Sequence, residues 1–158
     1  MKLRVLLHAL FVAASAVLPC VFLQPASAAL GGDFASVQAD GAQLKGTIRT
    51  SQAPAYTLHE IQMPNRVVVR EYMSAEGKVF AVAWNGQFRP DLQQILGKYF
   101  DQFSLAVQAQ KAGQTGRHPI TATQPGLFVE LGGHMRALSG RVYLPDMLPQ
   151  SVRAEDVR

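Results

Sequence analysis

Between Pro54 and Asn85 the chain holds three segments rich in Val, Tyr, Phe and Ile: Tyr56 to Met63, Arg66 to Met73 and Lys78 to Asn85. Turn-forming residues separate them, first Pro64-Asn65, then Ser74-Ala75-Glu76-Gly77. Short β-rich runs joined this closely form antiparallel strands in a meander. The second turn also predicts the register, because Gly77 suits the left-handed position of a three-residue hairpin loop that pairs Ser74 with Lys78. Counting outwards puts Tyr72 opposite Phe80, Arg70 opposite Val82 and Val68 opposite Trp84. One face then carries Val68, Arg70, Tyr72, Phe80, Val82 and Trp84, and the other Val67, Val69, Glu71, Met73, Val79, Ala81 and Ala83. Both faces are apolar, so both are expected to be covered. Tyr56 and Leu58 have the opposite parity to Ile61 and Met63, which predicts a bulge near His59-Glu60 if all four face one core.

After these strands, Pro90-Asp91 opens a helix, proline being suited to the first turn and an acid to the positive end of the dipole. Leu92, Ile95, Leu96, Tyr99, Phe103, Ala106 and Val107 then recur at helical spacing through about Gln110. Gly97 within this run costs about 1 kcal/mol relative to alanine, and a close approach of the helix over Ala81 and Ala83 would account for it. Ala112 to Pro119 reads as a polar loop. Ile120 to Gln124, Leu127 to Leu131 and Leu138 to Leu144 read as further strands, joined by Pro125-Gly126 and Gly132-Gly133-His134. The tail carries Pro145 and Pro149, then a helical turn from Ser151. Residues 29–53 are a weakly structured N-terminal segment whose one pattern is a first strand around Lys45 to Thr50. The expectation is an α+β fold: an antiparallel meander sheet of five to six strands packed against one main helix, in the order βββ-α-βββ, forming a single domain over residues 54–158.

Met1 to Ala28 reads as a signal peptide. It has Lys2 and Arg4 at the start, an apolar run from Val5 to Leu23, and Ala26-Ser27-Ala28 before Ala29. The predicted cut is between Ala28 and Ala29. Pro19 and this small-residue exit argue against an uncleaved anchor helix, although the run approaches the roughly 20 residues of a membrane span. The single cysteine, Cys20, follows Pro19 and precedes a continuing apolar run, which argues against lipid attachment. The mature domain is therefore expected to be exported, to the periplasm or outside the cell, with neither disulfide nor thiol. Losing Lys2 and Arg4 lowers the formal charge from +4 to +2. That balance gives no case for nucleic acid.

Catalytic motifs fail on inspection. His59-Glu60 opens like a zinc-protease helix, but Met63 stands where the second histidine is needed and the segment is a strand. His59, His118 and His134 with Glu60 or Glu130 form no spaced ligand set, so no metal and no cofactor is expected. Ser139 lacks the flanking glycines and helix of a nucleophile elbow. Glu60, Glu71, Asp91 and Glu130 show no spacing that favours paired-carboxylate chemistry over salt bridges. Gly31-Gly32 and Gly132-Gly133 are turn punctuation, not phosphate loops. What remains is a cluster of ligand-contact candidates: Arg70, Tyr72 and Trp84 on the predicted sheet face, with His134 and Arg136 in the following loop region. An arginine diagonal to aromatic rings lays its guanidinium on a ring face, a platform for an anionic, sugar or peptide ligand.

Val69-Arg70-Glu71-Tyr72, Gly77-Lys78-Val79-Phe80-Ala81-Val82-Ala83-Trp84, Pro90-Asp91-Leu92 with Leu96-Gly97 and Tyr99-Phe100, and Gly132-Gly133-His134-Met135-Arg136-Ala137, in this order after a signal peptide, resemble the bacterial family catalogued as domain of unknown function 2844. The likeness runs from about Leu30 to Val157. It implies a small exported protein with no assigned reaction, ligand or cofactor, and carries over no catalytic residue. The family pattern often has Ser-Gly where this chain has Asn65-Arg66, and often a proline where this chain has Gln87. The first departure bears on the turn type there, the second on the loop before the helix. The expected function is thus a non-enzymatic binding or envelope-associated module whose partner is an envelope protein or glycan, with membrane contact only through the signal peptide. The alternative is an envelope hydrolase using His59, Glu60, Glu130 and His134.

Overall fold

The hairpin at Ser74 closes as its sequence predicts: the Ser74 amide donates to the Lys78 carbonyl at 2.8 Å, and Gly77 takes φ 73°. A computed structural model describes residues 29–113 and 118–158, so the leader, Cys20 and the centre of the polar loop lie outside the described residues. Around that hairpin lie α1 (Phe34–Gln43), β1 (Thr47–Gln52), β2 (Thr57–Gln62), β3 (Val68–Met73) and β4 (Val79–Gly86), then α2 (Leu92–Leu96) and α3 (Phe100–Ala112), then β5 (Ile120–Gln124), β6 (Leu127–His134) and β7 (Ala137–Tyr143). All seven strands form one antiparallel sheet in the order β1-β2-β3-β4-β7-β6-β5. The first four run as a meander. The chain then crosses through the helices to the far edge and returns, placing β7 beside β4.

The α+β class holds, but the sheet has seven strands where five to six were expected, and βββ-α-βββ is replaced by αββββ-αα-βββ. The additions come from residues 29–53. Asp33 caps α1, its carboxylate accepting from the Ala35 and Ser36 amides, and β1 pairs with β2 along its whole length. The predicted long helix is broken: Gly97 at φ 47° and ψ −119° separates α2 from a 3-10 turn and α3. Gly97 therefore supplies a left-handed backbone turn that other residues resist, rather than a close approach over Ala81 and Ala83. Those alanines lie on the other side of the sheet.

Two apolar layers sandwich the sheet. On one face Ile61, Val69, Val82, Trp84, Val129 and Val142 pack under Val37 of α1, Leu92, Ile95 and Leu96 of α2, and Phe103 and Ala106 of α3. On the other, Tyr72, Phe80, Ala83 and Tyr143 pack under Val152 and Val157 of the C-terminal tail, with Tyr56, Leu58 and Phe128 at the margin. This second core explains the parity change in β2 without a bulge at His59-Glu60: Leu58 serves the tail side and Ile61 the helix side, and the β2 pairing is unbroken. The bulge lies instead at Tyr72/Met73, where Met73 pairs with Val79 but Tyr72 pairs with Ala81, so that Phe80 is the extra residue. An extra residue inverts facing beyond it. Arg70 accordingly sits opposite Ala83, Val69 opposite Trp84, and the indole points to the helix side, away from Arg70.

Candidate functional site

Register divides the five predicted contact residues among three places. Trp84 is 2% exposed in the helix-side core, against Gly140 on the neighbouring strand. A side chain at Gly140 would put a Cβ 2.6 Å from Trp84 Cε2 and 2.8 Å from Cη2. Arg70 lies on the tail side, where its Nε donates to Glu60 Oε1 at 3.0 Å and a further guanidinium nitrogen donates to Asn85 Oδ1. Tyr72 is buried beside them, with Tyr56 and Phe80 at ring-centroid distances of 5.3 and 6.2 Å. The expected arginine-aromatic platform of Arg70, Tyr72 and Trp84 therefore does not form.

The tail-side face is not open to a ligand either, because the chain's own C-terminal segment covers it. The Tyr72 hydroxyl donates to the Arg158 carbonyl at 2.8 Å and accepts from its amide at 3.0 Å. Arg141 donates to the carbonyls of Ala154 and Val157, and with its other nitrogens to Glu130 Oε2 at 2.7 and 3.1 Å. Between the tail end and the sheet remains a cleft of about 310 Å³, bordered by Asn85, Glu130, Ser139, Arg141, Glu155 and Arg158.

Gly132-Gly133-His134, expected as the joining segment, continues β6 and pairs with Ser139, Leu138 and Ala137, so that His134 ends the strand and Arg136 lies in the two-residue Met135-Arg136 connection to β7; both stay exposed, with Met135 78% exposed. The pairings of Gln62 with Val68, Val68 with Asn85, Asn85 with Ser139 and Ser139 with Gly132 put three connections at one end of the sheet. These are residues 63–67, 87–91 and 135–136. They carry Arg66, Arg89 and Arg136, together with Phe88 at 57% exposure and Met135, and their one acid is Asp91, which caps α2. The sequence marked only the last of the three, because strand order alone brings the others beside it.

The groups named for hydrolysis do not meet. Glu60 and Glu130 are held by Arg70 and Arg141, and their strands β2 and β6 stand four positions apart, about 19 Å at the usual strand spacing. His59 lies on the opposite face, its Nδ1 2.9 Å from Thr50 Oγ1 and its ring 5.3 Å from Phe34, and burial lowers its pKa. No group of three His, Cys, Asp or Glu among the described residues is arranged to hold a metal.

Sequence reasoning missed a buried carboxyl pair beneath α1. Asp40 is fully buried; its Oδ2 accepts from the Ala29 backbone nitrogen at 3.1 Å and its Oδ1 from Gln94 Nε2 at 2.7 Å. Glu71 of β3 is fully buried beside it, and with both carboxyls ionised neither of its oxygens has a donor. Burial pushes the Asp40 pKa up to about 6, against the Gln94 and Ala29 hydrogen bonds, and Asp91 adds to the rise. Burial and then the Asp40 charge push Glu71 well above the usual carboxylate range, so Glu71 is held as a neutral acid whose proton is offered to Asp40. The signal for α1 was present in Asp33 followed by Val37 and Leu44 at helical spacing, but nothing local says that Asp40 turns inward.

A family model described as "Protein of unknown function (DUF2844)" matches residues 26–157. The chain belongs to the DUF2844 family. No curated protein and no solved structure matches it. Arg66 in the β2–β3 turn adopts φ 64°, a left-handed position that favours glycine. The loop closes all the same, the Met63 amide donating to the Val67 carbonyl at 2.9 Å and Asn65 Oδ1 accepting from the Val67 amide at 3.1 Å. Arg136 is left-handed as well, at φ 67°. Two of the three arginines at the loop end thus occupy backbone positions that favour glycine.

Proposed function

We propose that this DUF2844 protein is an exported, non-enzymatic binding module that docks, through its loop end, on an acidic surface of another envelope protein. The observation that carries this reading is the juxtaposition of Phe88 and Met135, both more than half exposed, with Arg66, Arg89 and Arg136 at one end of the sheet. Aromatic residues, methionine and arginine are the types enriched at protein interfaces, and guanidinium groups pair with carboxylates in a bidentate manner. Arginine at two left-handed turn positions sacrifices stability for side-chain chemistry there. An envelope hydrolase has less support, since Glu60 and Glu130 are held in ion pairs, His59 stands on the opposite face of the sheet and His134 is exposed at the β6–β7 hairpin. Affinity capture from the envelope fraction of the producing cell, with wild type and an Arg66→Ser, Arg89→Ser, Arg136→Ser variant of equal melting temperature, tests this. Capture should fall about tenfold in the variant and similarly in high salt. Equal capture by the two proteins would refute it.

A further inference from the structure

The carboxyl pair beneath α1 is short of one cation. Asp40 and Glu71 are both fully buried, yet the donors facing them among the described residues are the Gln94 amide and the backbone nitrogen of Ala29, and none of those residues gives Glu71 a donor when it is ionised. Among the described residues the other ionisable groups near them add none: Asp91 is acidic, and His59, the cross-strand partner of Glu71, is driven towards its neutral form by burial. Burying carboxylates without a cation is costly. The segment that brings Ala29 to this place is held along its length. Leu30 donates to the Ile95 carbonyl at 3.2 Å, Gly31 to the Val79 carbonyl at 2.8 Å, and Val79 back to the Gly32 carbonyl at 3.0 Å. The nitrogen lying 3.1 Å from Asp40 Oδ2 belongs to the bond that follows Ala26-Ser27-Ala28, the small-residue exit of the leader.

We infer that hydrolysis of the Ala28–Ala29 peptide bond creates the missing cation: the new α-ammonium of Ala29 stays on Asp40, donates a further N–H to Glu71, and locks residues 29–32 onto the body. Water adds across the bond; the Ala28 carbonyl carbon takes the hydroxyl and departs with the leader as a carboxylate, and the Ala29 nitrogen takes the protons. An amide offers one donor and no charge, whereas an ammonium offers three donors and a full positive charge. One cation then faces two carboxyls, which is the balance the buried site lacks before cleavage. Because the Ala29 nitrogen lies inside the folded body, the leader peptidase acts on the unfolded chain during export, and the lock closes as the domain folds. The inference rests on the export half of the proposed function and is independent of the loop end, so loss of either leaves the other standing.

The test begins with the protein expressed with its own leader and exported. Its N-terminal residue should be Ala29. At neutral pH its α-amine should be acylated by an N-hydroxysuccinimide ester about a hundredfold more slowly in the native protein than in urea. A protein retaining Ala28 as one extra residue should lose about a hundredfold in its folding equilibrium constant, and the same extension should cost nothing further in Asp40→Asn. Should Asp40→Asn fail to fold, Glu71→Gln serves instead, with the cost of the extension reduced rather than abolished. A mature N terminus other than Ala29, native acylation at the unfolded rate, or a harmless extension would overturn the inference.

Discussion

Replacing Gly140 with alanine tests the strand register that separates Trp84 from Arg70. Gly140 is the cross-strand partner of Trp84 on the helix side, and a Cβ there would lie 2.6 and 2.8 Å from ring atoms Cε2 and Cη2. Contacts that short do not persist, so the indole must move within a layer in which it is 2% exposed. Overpacking of this kind costs about 1–3 kcal/mol. For a domain of this size that lowers the melting temperature by about 3–5 °C per kcal/mol. Gly132→Ala is the control, because its Cβ meets only Ser139 Oγ at 3.6 Å, an ordinary contact; its cost should stay within about 0.5 kcal/mol. Urea unfolding followed by the fluorescence of Trp84, the sole tryptophan, reads both energy and environment: Gly140→Ala should lower the midpoint and shift the native emission, and Gly132→Ala should do neither. If Gly140→Ala left midpoint and emission unchanged, the indole would not be packed on this glycine and the reasoning from register would fail.

Tyr72→Phe removes the hydroxyl that clasps both the amide and carbonyl of Arg158, so it should cost about 1–2 kcal/mol and speed carboxypeptidase trimming of the tail. Arg136→Gly relieves a left-handed arginine at φ 67° and should raise stability by about 0.5–1 kcal/mol in thermal unfolding while weakening partner capture. The third prediction concerns pH. In a chain that retains residues before Ala29, Asp40 and Glu71 titrate higher folded than unfolded, so the folded state binds more protons and stability is lost as pH rises from about 4 through 6 and beyond. The rise of the Asp40 pKa from 3.8 to about 6 corresponds to about 3 kcal/mol. His59, whose pKa burial lowers, acts in the opposite sense. Glu71→Gln isolates the carboxyl pair: urea titrations from pH 4 to 8 should show a shallower decline than in the unsubstituted chain, and parallel curves would contradict the assignment.

The elements legible in the sequence were those with strong turn chemistry. The Ser74–Lys78 hairpin, the strands on either side of it and the start of the helical region at Asp91 all followed from local residues. The bulge was not legible, because Phe80 and Ala81 are both apolar and the sheet is covered on both sides, so no alternation of polar and apolar residues marks the change of face. That single residue moved Trp84 away from Arg70 and dissolved the predicted platform. Helix α1 was obscured by its small and polar residues around Gly41, although Asp33 stood ready as its cap. The tail's role depends on contacts 86 residues distant in sequence, between Tyr72 and Arg158, which no local pattern encodes. Arg136 was placed correctly at a surface turn and His134 was not, since it ends strand β6; their company of Phe88, Arg66 and Arg89 follows only from the strand order.

The central functional claim is that the loop end, and neither face of the sheet, meets the partner. Photocrosslinking in the producing cell tests it most directly, with a benzoylphenylalanine placed in turn at residues 88 and 135 of the loop end, at 51 on the edge strand β1, and at 105 on the outer side of α3. Positions 88, 105 and 135 now hold exposed apolar side chains, and position 51 an exposed serine. Adducts to one and the same protein from 88 and 135, with none from 51 or 105, is the predicted result. Adducts from 51 or 105 with none from the loop end would contradict it.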